Sequence, residues 1–76
     1  MSELLSERDK ATLSRLAENT SDEAARRRAM VLLLYQDGHG TQQIADELDM
    51  SPARVRHWRR TFLSDGLEMF QKVLDD

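Results

Sequence analysis

Residues 41–60 read TQQIADELDMSPARVRHWRR, and this stretch decides the fold. Thr41 is a favourable helix cap, and Ile44, Ala45 and Leu48 follow it at helical spacing. Asp49-Met50 interrupts that pattern. Ser51-Pro52 then opens a second helix, with a hydroxyl at the cap and proline in the first turn, where a missing N–H is tolerated. Val55, Trp58 and, just beyond, Phe62 make the apolar stripe of this second helix. Two short helices joined by a turn of about three residues, the second packed across the first, form a helix-turn-helix. The side chains suit that crossing. Ala45 is small where the helices approach most closely, Ile44, Leu48 and Met50 fill one side, and Val55 and Trp58 fill the other. The helix-turn-helix core therefore spans 41–64.

Upstream, Asp37-Gly38-His39-Gly40 ends a helix expected over about 21–36, because glycine enters left-handed conformations at little cost. Thr20-Ser21-Asp22-Glu23 reads as a capping box, the Thr20 hydroxyl accepting from the Glu23 amide and the Glu23 side chain reaching back. The second half of that helix, AMVLLLY (29–35), is apolar on every face, so it is either deeply buried or offers a surface to another molecule. His39, between two glycines, reads as an exposed loop residue. A first helix is expected from about Glu7 to Glu18, capped at Ser6, with Leu13, Leu16 and Ala17 inward and Leu4 and Leu5 folding back onto the core. The fourth helix ends at Gly66, and LEMFQKVL (67–74) places Leu67, Phe70 and Leu74 at helical spacing. With no strand alternation and no internal repeat, the chain reads as one all-α domain over 1–76, a bundle of four to five short helices.

The chain has 76 residues, close to the lower limit for an independent hydrophobic core. It contains no cysteine, so neither a disulfide nor a Cys-based zinc site can staple it. The apolar run 29–35 is far too short to span a bilayer, and the N-terminus lacks the pattern of a secretory signal. A cytoplasmic protein is expected, nucleoid-associated if the source is bacterial, with no membrane partner. The formal net charge is −3. Its distribution says more than its sum: between Met50 and Ser64 stand Arg54, Arg56, Arg59 and Arg60 with no acid among them, while the acids gather in the first helix, around Asp46–Asp49 and at the C-terminus. An acidic body with one basic face orients itself on a polyanion.

At about 100° per residue, the face of the fourth helix opposite Val55, Trp58 and Phe62 carries Ala53, Arg56, His57 and Arg60. These are the expected base-reading residues of a helix in the major groove. Arginine binds guanine O6 and N7 with two hydrogen bonds, histidine donates or accepts at a base edge, and alanine permits close approach to a thymine methyl. Thr41, Gln42, Ser51, Arg54 and Arg59 are placed for backbone phosphates, which position the protein without specifying sequence. A solvated, helix-forming arginine accounts for any one of these side chains; four without an acid, on the second helix of this motif, point to DNA. Arg26, Arg27 and Arg28 wrap most of a helix circumference and cannot share one partner, so pairing with Asp22 or Glu23 is expected for some of them. Trp58 reads as packing and Tyr35 as half-buried.

The stretch 26–70 resembles the N-terminal helix-turn-helix (homeodomain-like) domain of mariner-like insertion-sequence transposases and related bacterial DNA-binding proteins, and Leu5-Ser6-Glu7 onward resembles that family's leading helix, so the resemblance covers nearly the whole chain. The resemblance lies in ARRRAMVLLLYQDG, TQQIADELDMS, VRHWRRTF and DGLEMF. It implies a homeodomain-like helix-turn-helix bundle. That family usually has glycine where this chain has Asp49, at a turn that needs a left-handed residue. Related transposases carry their metal-binding acids in a separate, larger domain to which nothing here maps. No Ser/His/Asp arrangement or phosphate-cradling loop is present, and two histidines without cysteine do not make a metal site. The expectation is thus a protein without catalytic activity, cofactor or small-molecule substrate, which binds double-stranded DNA as a transposase-type domain or small regulator. A single module of this kind buries only about 600–1,000 Å², so a homodimer, a tandem module or a fused partner domain is the expected route to useful specificity. The rival expectation is a protein-interaction module that uses the apolar faces 29–35 and 67–74.

Overall fold

A computed structural model describes residues 4–71 and contains four α-helices followed by a short 3-10 helix. They are α1 (Glu7–Asn19), α2 (Glu23–Gln36), α3 (Thr41–Leu48) and α4 (Pro52–Asp65), then the 3-10 turn Gly66–Phe70. No strand occurs among the described residues, so the chain is an all-α bundle. Of the last apolar segment, Leu74 lies outside the described residues.

The all-apolar circumference of α2 has a structural cause. The helix separates two cores and supplies residues to both. On one side Ala29 and Leu32 pack with Leu5, Leu13 and Leu16 from the N-terminal segment and α1, and with Phe62 and Phe70. On the other, Val31 and Leu34 pack with Ile44, Ala45 and Val55 across α3 and α4. Ala29, Val31, Leu32, Ile44 and Val55 are completely buried. Leu5 folds back as expected, and its amide donates to Gln36 Oε1 at 2.9 Å, tying the start of the chain to the end of α2.

Three local expectations are corrected. The α2 cap is Asp22, not Thr20, and the helix begins at Glu23. The Asp22 carboxylate accepts from the Ala24 and Ala25 amides at 3.0 and 3.2 Å, while Thr20 Oγ1 accepts from the Asp22 amide at 3.0 Å. A carboxylate is a stronger acceptor than a hydroxyl and complements the helix dipole, so it displaces the threonine box. The α3 cap is Gly40, not Thr41. Thr41 sits in the first turn, where its Oγ1 lies 2.6 Å from the Tyr35 hydroxyl, so a partner on α2 takes the oxygen a cap would need. His39 is half-buried rather than exposed, because the chain reverses tightly there: Gly38 at φ +97° lets the His39 amide donate to the Leu34 carbonyl at 3.0 Å.

The turn between α3 and α4 closes on Asp49, the one non-glycine residue at positive φ among the described residues (φ 56°, ψ 50°). Its amide and that of Met50 both donate to the Ala45 carbonyl, the latter at 2.9 Å, as in a left-handed helix cap. Aspartate tolerates this region better than most residues but not as well as glycine, and a carboxylate at a helix C-terminus opposes the dipole. Asp49→Gly is therefore expected to raise stability by about 1 kcal/mol. Urea denaturation checks this, and an unchanged midpoint would reject strain at the turn.

Candidate nucleic-acid interface

α4 is positioned by its own apolar stripe. Val55 is fully buried and Phe62 is 6% exposed, while Trp58 is half-buried at the edge of the α2–α3–α4 core. Ser51 caps the helix, its Oγ accepting from the Arg54 amide at 3.2 Å, and Pro52 occupies the first turn. With the stripe anchored, Ala53, Arg56, His57 and Arg60 are all exposed, as their spacing requires. Arg56, Arg59, Arg60 and Leu63 line a shallow groove of about 250 Å³. Leu63, 64% exposed, is the one large apolar side chain left open among the described residues.

Two of the arginines are braced on aromatic rings. The Arg28 guanidinium lies 4.1 Å from the centre of the Trp58 ring, and that of Arg59 lies 5.1 Å from the Tyr35 ring. Stacking of this kind attracts the cation to the ring face and leaves its in-plane N–H groups for other acceptors. The His57 ring meets Trp58 edge-on, with centroids 4.7 Å apart. Arg26 behaves as its spacing suggests. Its Nη1 pairs with Glu23 at 3.4 Å and its Nη2 donates to the Thr20 carbonyl at 2.9 Å. That is the one ion pair among the described residues, so no carboxylate there stands within ion-pair distance of Arg27, Arg28, Arg54, Arg56, Arg59 or Arg60.

The expected phosphate-facing residues divide into those whose side chains remain open and those already engaged. Arg54 is exposed, and Arg59 is exposed despite its contact with Tyr35. The Thr41 hydroxyl is held by Tyr35, and Gln42 Nε2 donates to Asp46 Oδ1 at 3.0 Å within α3. What Thr41 and Gln42 still offer is backbone: amides in the first turn of a helix have no acceptor inside it. Because Arg59 rests on Tyr35 and Tyr35 holds Thr41, the α3 N-terminus and one flank of α4 form a connected surface.

The sequence that forms α2, α3 and α4 matches a known family. The model of the homeodomain-like domain covers residues 22–68. The chain belongs to the homeodomain-like domain family. The matched stretch begins at the α2 cap and ends inside the 3-10 turn, so the homeodomain-like unit is α2–α3–α4, and α1 packs on it from outside the match. No curated protein and no solved structure matches the chain. Among the described residues no helix is long and apolar enough to cross a membrane.

The sequence did not reveal the pairing of Arg28 with Trp58. The two residues are thirty positions apart, and nothing local in either neighbourhood signals the other. The only available hint was a cluster of three arginines too dense for its own helix to neutralise.

Proposed function

We propose that this homeodomain-like chain binds double-stranded DNA sequence-specifically, with α4 lying in the major groove. Arg56 and Arg60 contact base edges, with His57 and Ala53 beside them. Arg54 and Arg59, with the backbone at Thr41, Gln42 and Ser51, hold phosphates. The observation that carries this reading is the outward face of α4: four arginines and no acid between Met50 and Ser64, on the second helix of a helix-turn-helix. The rest of the chain carries all fourteen acids against seven basic side chains, a net of −7, which disfavours approach to a polyanion by an acidic face.

The rival reading needs apolar faces available to a partner. Within 29–35, Ala29, Val31, Leu32 and Leu34 are buried in the chain's own cores, and Phe70 is 1% exposed. That burial favours DNA over a protein partner. The biological role is attachment of a transposase-type domain to element ends, or transcriptional control at a promoter. Selection of bound sequences from a randomised duplex library tests the central claim, and failure to enrich any motif rejects it. Genomic matches at the ends of mobile elements favour the first role, and promoter palindromes the second.

Arg59 provides a separate check on the division of labour. Arg59→Ala should weaken all duplexes alike and lower the slope of log affinity against log salt by about 1. An unchanged slope rejects its phosphate role.

A further inference from the structure

We propose that the groove between the N-terminal half of α2 and the first turn of α4 seats one backbone phosphate of the bound duplex, held by Arg27, Arg28 and Arg54. The inference rests on the duplex-binding reading above. It adds α2, which that reading leaves out, to the binding surface.

The groove measures about 410 Å³ and is lined by Arg27, Arg28 and Arg54, with Trp58, Ser51 and Asp49 among its other walls. Three arginines thus share the lining with one aspartate, and the arginines come from two different helices. Like charges gathered in one cleft repel one another and raise the local attraction for an anion. Arg28 is already stacked on Trp58 at 4.1 Å, so part of the ordering cost of a phosphate contact is met before DNA arrives. The cations carry the argument rather than the α4 terminus, since the Ser51 hydroxyl is engaged by the Arg54 amide.

The position of the groove selects a duplex backbone over a free anion. At 3.6 residues per turn, Arg54 and Arg59 stand about 110° to either side of the line through Ala53 and Arg60. The major groove is about 12 Å wide and is walled on both sides by phosphates, so a helix reading it meets one backbone on each flank. Arg59, on Tyr35, serves one flank. The cleft of Arg27, Arg28 and Arg54 serves the other. An open cleft rather than an enclosed pocket suits a phosphate that arrives as part of a polymer.

Salt-dependent titrations of a labelled duplex carrying the selected site test this. The double variant Arg27→Gln/Arg28→Gln should lower the slope of log affinity against log salt by up to about 0.9, the share of one neutralised phosphate, and each single variant by part of that, with sequence preference unchanged. Arg28→Lys should keep the slope. Asp49→Asn, which still tolerates the left-handed turn, should tighten binding several-fold by removing the opposing charge. Trp58 is the only tryptophan in the chain, so its quenching by acrylamide reports on the cleft directly, and the duplex should protect it. Arg27 is exposed, so Arg27→Gln remains a fair test even if Arg28→Gln unfolds. Wild-type slopes in both glutamine variants overturn the proposal, as does equal protection of Trp58 by inorganic phosphate at matched ionic strength. If those slopes are unchanged while Arg56→Ala weakens binding, the cleft proposal falls and the duplex-binding reading stands. If the wild-type chain binds no duplex, both fall.

Discussion

Alanine at Arg56 or at Arg60 is expected to weaken binding to the preferred duplex by about 1–3 kcal/mol, the worth of one good bidentate arginine–base contact. The loss should fall mainly on the preferred sequence. Both side chains are exposed and lie one helical turn apart on the face opposite Val55 and Phe62, so they point away from the core, where the proposed reading has them address neighbouring base pairs. Each substitution should leave the melting temperature within experimental error of wild type, because no hydrogen bond or ion pair within the described residues depends on either side chain. Removal of either charge also weakens non-specific attraction, so the diagnostic quantity is the ratio of preferred to unrelated duplex affinity, not the affinity alone. Arg59→Ala should preserve that ratio. Arg56→Ala or Arg60→Ala should collapse it at the corresponding base position. The two sites are close enough to couple, and the double variant need not show the sum of the single losses. Competition titrations at ~0.1 M salt, where backbone attraction is still substantial, make the comparison. Variants that match wild type in both affinity and ratio would sink the base-reading assignment.

The legible and illegible parts of this protein differ in the range of the interactions that make them. The helix boundaries after residue 36 came from local signals: Gly38, Ser51-Pro52 and Gly66 act on their own turns, and all three mark observed ends or starts. Asp49 was readable for the same reason, since a three-residue turn between packed helices demands a left-handed residue wherever it occurs. The caps of α2 and α3 were misread where two candidates competed. Asp22 displaced Thr20 by charge, and Thr41 was drawn away by Tyr35, a contact between elements that no local pattern encodes. The exposed face of α4 followed from periodicity alone, because burial of Val55 and Phe62 fixes the opposite side. The braced arginines did not follow, because Arg28 meets Trp58 and Arg59 meets Tyr35 only after α4 has crossed α2. The ambiguity of 29–35, buried or offered to a partner, was likewise decided by packing: α2 lies between two cores and is apolar toward both.

Phe70→Ala should destabilise the chain by about 3–5 kcal/mol, the usual cost of removing a buried phenylalanine ring. For a chain of 76 residues the whole stability is about 4–11 kcal/mol, so this one truncation removes a large share of it. Phe70 follows α4 in a 3-10 turn, a position that looks peripheral, yet it is 1% exposed. It closes the core made by Leu5, Leu13, Leu16, Ala29, Leu32 and Phe62, on the side of α2 away from α3. Gly66 at φ +63° turns the chain back so that the ring reaches this core. Phe70→Leu, which keeps most of the apolar volume, should cost about 1.5 kcal/mol or less. Urea denaturation followed by circular dichroism gives both values. The proposed DNA-reading face of α4 is also anchored through Val55 in the other core, with Val31, Leu34, Ile44 and Ala45, so the folded fraction of Phe70→Ala should retain wild-type affinity and sequence preference. The opposite pattern would identify the segment from 67 onward as a docking face: stability unchanged within about 0.5 kcal/mol, the range typical of surface substitutions. The two readings of the C-terminal segment thus predict different observables for one substitution, and the 1% exposure of Phe70 places the expected loss in stability.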